Sequence, residues 1–152
     1  MSYATPADVK ACFRNFASST EAAVTDIKIQ AWLDATSAMI DGRIGTLYAL
    51  PINETDSPLS FEILKQIESF KVAGIVDDVL NTYSEADKKP LWEKRAMDML
   101  KELVPPKDSK GNQPSPTTKL PDATYIGTQT QKSTIRASST NAPIFTKGGD
   151  NW

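Results

Sequence analysis

The stretch Ile40–Ile52, IDGRIGTLYALPI, decides how the chain reads. It looks like the end of an amphipathic helix that runs directly into Tyr48-Ala49-Leu50-Pro51-Ile52. A helix usually stops at a Gly or Asn with polar neighbours. Here the exit is apolar and stiff, so something must cover it. Either the chain's own third and fourth helices do so, or an adjacent subunit shares the task. Upstream, Thr25-Asp26 offers a cap followed by an acid, and Ile29, Leu33, Ile40, Ile44 and Leu47 fall near one stripe. Small Ala and Ser residues beside the stripe let a neighbouring helix come close. Gly42 and Gly45 are unfavourable inside a helix, and point to close packing or to weakening before Pro51.

Outward from this segment, helical signals recur on both sides. Thr5-Pro6-Ala7-Asp8 suits an N-cap, Pro at N1 and an acid at N3, and Val9, Cys12, Phe13 and Phe16 follow at helical spacing. This predicts a first helix of two to three turns. Asn53 to Pro58 is turn chemistry. A long third helix is expected from Pro58 to about Tyr83, with Leu59, Ile63, Ile67, Phe70, Gly74 and Val79 along its packed side. Glu62, Gln66, Glu68 and Lys71 read as solvated. Ser84 to Asp87 breaks that helix. Pro90 opens a fourth through Trp92, Ala96, Met99, Leu100 and Leu103, and Pro105-Pro106 stops it. The expected fold class is all-α, a small bundle of about four helices.

The chain changes character near Pro105. Residues 1–104 carry 11 basic and 16 acidic side chains, a net of −5, whereas residues 105–152 carry 6 and 3, a net of +3. The second part also holds six of the ten prolines. The expected division is a helical body over 1–104 and a long extended C-terminal arm over 105–152. Tyr125 to Ser138 is strand-like, so the arm can carry short β-strands, but its polar composition cannot build a core alone. Tyr125, Ile126, Ile135, Ile144, Phe145 and Trp152 are its apolar anchors, and Lys132, Arg136 and Lys147 are cations suited to an acidic partner.

Several chemistries are missing from the sequence. Without His there is no Ser–His–Asp or Cys–His site and no His-bound zinc. The single Cys12 excludes an internal disulfide, and reads as a small buried residue. Neither phosphate-binding glycine motif occurs. Asp77-Asp78, and Asp34 with Asp41 two turns apart, could bind a divalent cation but read as solvated acids. Lys88-Lys89 and Lys94-Arg95 beside Trp92 could touch nucleic acid but read as ordinary surface. No apolar run approaches the length of a membrane span, and MSYATPADVK is not a secretion signal. The reading is a soluble chain made in a cytoplasm, with no catalytic, metal or cofactor site.

Four blocks carry a resemblance: YATPADVKACF at 3–13, DATSAMIDGRIGTLYALPI at 34–52, a helix after a short acidic loop, and WEKRAMDMLKEL at 92–103. In order and spacing they resemble the head–tail connector proteins of tailed bacteriophages, also called adaptor or head-completion proteins. The resemblance covers about residues 3–104 and is strongest from Ala35 to Pro51. Leu47 stands where that family often has Arg before the Tyr. The resemblance implies a non-enzymatic structural protein of the virion neck, made in the host bacterial cytoplasm. It implies a homo-oligomeric ring, expected to be a dodecamer, that docks on the portal protein and meets the next neck or tail-terminator protein. Double-stranded DNA would pass through its channel without specific binding. On this reading Tyr48, Leu50, Pro51 and Ile52 lie at the subunit interface. The rivals are a DNA-binding helical packaging protein, for which the second helix offers only Lys28, Gln30 and Arg43, another tail-completion protein, and a helical domain with an unrelated partner.

Overall fold

A computed structural model describes residues 2–13, 16, 24–80 and 91–127. Four helices form an all-α bundle: α1 (Pro6–Ala11), α2 (Asp26–Ile44), α3 (Pro58–Leu80) and α4 (Leu91–Leu103). α1 is shorter than expected, at 6 residues. Its start is as read, because Thr5 accepts from the Asp8 N–H while the Asp8 carboxylate accepts from the Thr5 N–H. Thr25 likewise caps α2 by accepting from the Lys28 N–H at 3.4 Å. The expected end of α3 and the break after it lie outside the described residues.

α3 is the spine, packing against α1, α2 and most extensively α4. The core divides into two clusters along it. The first joins Ile40, Ile44, Leu47, Tyr48 and Ile52 to Leu64 and Ile67 of α3 and to Ala96, Leu100 and Leu103 of α4. The second joins Val9, Val24, Ile29 and Leu33 to Val72, Ala73 and Val76. The start of α2 therefore meets the end of α3 and the reverse, so the pair is antiparallel.

Two readings of α3 are corrected. Leu59 and Val79, expected on the packed side, are 62% and 51% exposed, and Leu64, Val72, Ala73 and Val76 take that side instead. Leu64 and Val72 are two turns apart on the stripe that faces α2 and α4, and Leu59 and Val79 drift off it. Glu68, read as solvated, lies on this same stripe between them and is fully buried.

Residues 105–127, the first part of the expected arm, lie back across the helices without forming one. Thr117 and Thr118 donate their N–H groups to the Glu102 carbonyl at 3.0 and 3.2 Å. Leu120 enters the first core cluster. Residues 128–152 lie outside the described residues.

Candidate interaction surface

The apolar exit from α2 is covered by the chain itself: α3 and α4 pack on it in the first cluster, and the returning segment closes over it. Gly45 ends the helix, and the Leu50 side chain lies against it: a Cβ on Gly45 would stand 2.9 Å from Leu50 Cδ1. Leu47 is wholly buried, and Tyr48 and Ile52 nearly so. The Ala49 N–H donates to the Thr124 carbonyl at 2.9 Å, and the Ile126 N–H to the Leu47 carbonyl at 2.8 Å. These bonds flank an antiparallel bridge between Tyr48 and Tyr125, the one β pairing among the described residues. The two rings meet edge-on at 5.5 Å, and the Lys119 ammonium lies 4.8 Å from the Tyr125 ring centre. The Tyr48 hydroxyl accepts from the Leu120 N–H at 3.3 Å. Burial pushes the Tyr48 phenol up despite that donor, so it stays protonated.

Beyond this closed layer an apolar corner faces outward. Leu50 is 43% exposed, Ile126 42% and Tyr125 37%, and Pro51 is exposed beside them. Of the four residues expected at a subunit interface, Tyr48 and Ile52 are thus enclosed by their own chain, and Leu50 and Pro51 are available. Of the arm residues, Tyr125 and Ile126 join this corner. Lys132, Ile135, Arg136, Ile144, Phe145, Lys147 and Trp152 lie outside the described residues. Leu120, which seals the exit, and Lys119 were not singled out from sequence. The lone Leu in Lys119-Leu120-Pro121 was the available signal.

Several of the other groups weighed for chemistry have structural partners, and Lys88 and Lys89 lie outside the described residues. Asp34 accepts from the Ser2 hydroxyl at 2.8 Å and from Gln30 Nε2 at 3.0 Å, which hold it below the usual carboxylate range. Asp41 accepts from the Tyr3 hydroxyl. Cys12 is half-buried, and burial, reinforced by Asp8, pushes its thiol up and away from the reactive thiolate. The Arg95 guanidinium lies 5.4 Å from the Trp92 ring centre. Among the described residues, no three His, Cys, Asp or Glu side chains gather to hold a metal ion, and no helix is long and apolar enough to cross a membrane. No family model, curated protein or solved structure matches the chain.

Proposed function

We propose that the chain is a non-catalytic structural subunit of the neck of a tailed bacteriophage, a head–tail connector that assembles as a ring on the portal. The ring, taken as twelve-fold, would link the DNA-filled head to the tail and extend the DNA channel. The observation that carries the reading is the outward apolar corner of Leu50, Pro51, Tyr125 and Ile126. It sits at the Tyr-x-Leu-Pro exit, where the resemblance to that family is strongest. Exposed large apolar side chains on two paired segments favour a partner where they form one patch. In a ring, each copy covers this corner with its neighbour.

The arm serves the same reading. Its strand-like stretch can add to a sheet edge on the portal or on the next neck or tail-terminator protein, forming short β-strands there. Lys132, Arg136 and Lys147 would meet acidic surface, and Ile135, Ile144, Phe145 and Trp152 would fill pockets. Many arms on one ring bind together, so avidity exceeds one arm's affinity by roughly 10²–10⁴. A body with net charge −5 repels phosphate and lets DNA slide.

Gold-labelled antibody against the chain, applied to tailed particles from the strain that encodes it, tests the reading. Label at the head–tail junction is expected. Particles that carry no label there overturn it. The interface is tested by Leu50→Asp: rings seen by negative-stain microscopy are expected to disappear while the monomer's melting temperature stays within a few degrees of the natural chain. A variant that unfolds instead assigns Leu50 to the monomer's own packing.

A further inference from the structure

Between its two apolar clusters the bundle has a polar waist. Thr36 and Ser37 of α2, and Glu68 and Ser69 of α3, are all buried there. Glu68 is the only acidic or basic residue buried among the described residues. Residues 2–4 run across this waist, and each is held by an acid. Ser2 Oγ donates to Asp34 at 2.8 Å and accepts from Gln30 Nε2 at 2.9 Å. The Tyr3 hydroxyl donates to Asp41. The Ala4 N–H donates to Glu68 Oε2 at 2.6 Å. Tyr3 belongs to the first cluster, with its ring 5.5 Å from that of Phe61, and Ala4 belongs to the second. The segment therefore closes the seam where the clusters meet.

Glu68 is half-satisfied. Its Oε1 meets no hydrogen-bond partner among the described residues. A buried carboxylate with an unmatched oxygen favours the neutral acid. Burial pushes Glu68 up to about 7, Asp41 of α2 adds to the rise, and the N–H donors of Ala4 and Tyr3 and the amino end of the chain oppose it. The nearest cations along α3 are engaged elsewhere: Lys65 with Asp8 of α1 at 3.3 Å, and Lys71 with Glu93 of α4.

We propose that residues 2–4 form a proton-gated strap, closed over the α2–α3 waist while Glu68 is neutral and lifted when Glu68 ionises. Lifting takes Tyr3 off Phe61 and Asp41, takes Ala4 off Glu68, and admits water to the carboxylate. The device is independent of the assembly reading. Its sign follows from linkage. The closed strap holds the Glu68 proton up to about pH 7, whereas a released glutamate loses it near its ordinary value of about 4.3. The preference for closure is complete below that ordinary value and is lost as pH rises through about 7. Between the two values the opening equilibrium grows about tenfold per pH unit, and above them it levels off.

The test uses the full isotope-labelled chain in solution. The Glu68 carboxyl carbon is titrated by NMR, and hydrogen exchange of the Ala4 amide, normalised to its intrinsic rate, is followed from about pH 5 to about pH 8. Glu68 is expected to titrate near neutrality. Ala4 protection should fall about tenfold per pH unit up to that midpoint while Val72, in mid-α3, stays protected. In Glu68→Gln, Ala4 protection should not change with pH. The proposal is overturned if Glu68 titrates in the ordinary range, if Ala4 protection is flat in the natural chain, if Ala4 follows pH equally in the variant, or if Val72 declines in parallel. Should the variant fail to fold, a shared midpoint of the Glu68 carbon and the Ala4 amide in the natural chain decides the question.

Discussion

Gly74 reads in the sequence as part of the packed side of α3, and Gly42 as close packing or weakening near the end of α2; the structure gives the two opposite roles. A Cβ on Gly74 would stand 3.0 Å from Glu93 Cβ, 3.1 Å from its backbone N and 3.3 Å from its Cα. These atoms belong to the first turn of α4 and cannot swing aside. Gly74→Ala is therefore expected to destabilise the bundle by about 1–3 kcal/mol, by forcing α3 and α4 apart. A Cβ on Gly42 would meet nothing within 4 Å. Gly42→Ala is expected to stabilise by about 0.5–1 kcal/mol, since it removes only the conformational cost of a helical glycine. Urea midpoints of the two variants check the opposite signs. The period placed Gly74 on the packed side, but for Gly42 the sequence left close packing and weakening both open, because the choice depends on which backbone lies opposite. Glu68 was more legible than its reading allowed. Leu64, Glu68 and Val72 stand four residues apart on one helix face, so the period placed the acid on the buried side, and only its charge argued for the surface.

The helices differ in how their starts are secured, and this sets what local sequence can reveal. Thr5 and Thr25 cap α1 and α2 from the adjoining turn, so both starts were readable. α3 is capped from 62 residues away. The Asp122 carboxylate accepts from the N–H groups of Leu59 and Ser60, each at 2.9 Å, and from the Ser60 hydroxyl. The Asp122 carbonyl accepts from Ser57 Oγ at 3.1 Å. No pattern near Pro58 announces this. Burial pushes Asp122 up, but the Ser60 hydroxyl and the Leu59 and Ser60 N–H donors outweigh it and hold the acid below the usual carboxylate range. A carboxyl with a lowered folded value contributes stability above its unfolded value and loses it as pH falls through the folded one. The cap should therefore be intact at neutral pH and fail progressively below about pH 4. Asp122→Ala is expected to lower the melting temperature by a few degrees at neutral pH and to remove hydrogen-exchange protection in the first turn of α3. Its deficit should shrink in acid, and thermal melts of both chains from neutral pH downward would show it. A deficit that stays constant with pH rules out the charged cap.

For the molecule as a whole, the informative question is how far past Pro105 packing on the helices continues. Composition changes at Pro105, yet packing continues to the end of the described residues. Leu120 fills the first cluster, Asp122 caps α3, and the Thr124 and Ile126 backbone ties down the α2 exit. The sequence does not reveal this return because it lacks periodicity. It is a polar, proline-rich segment whose few anchoring groups act one at a time across long separations. Two truncations then have distinct expected outcomes. A chain ending at Pro106 loses Leu120, the α3 cap and the cover over Tyr48 together. Burying one Leu is worth about 1.5–3 kcal/mol and a cap about 1 kcal/mol, a large share of the stability of so small a domain. That chain is expected to melt far below the full chain or to fold incompletely. A chain ending at Gly127 keeps all of these contacts and is expected to match the full chain in far-UV circular dichroism and in melting temperature. It lacks only residues 128–152, so in the connector reading it should form the bundle yet dock weakly on portals. Melting curves separate the fold from the arm, and sedimentation with purified portals separates the arm from the function. Equal melting of the two truncations would mean that residues 107–127 contribute nothing to the body. Full docking by the chain ending at Gly127 would place the portal contact on the helices and the Leu50 corner rather than on the arm.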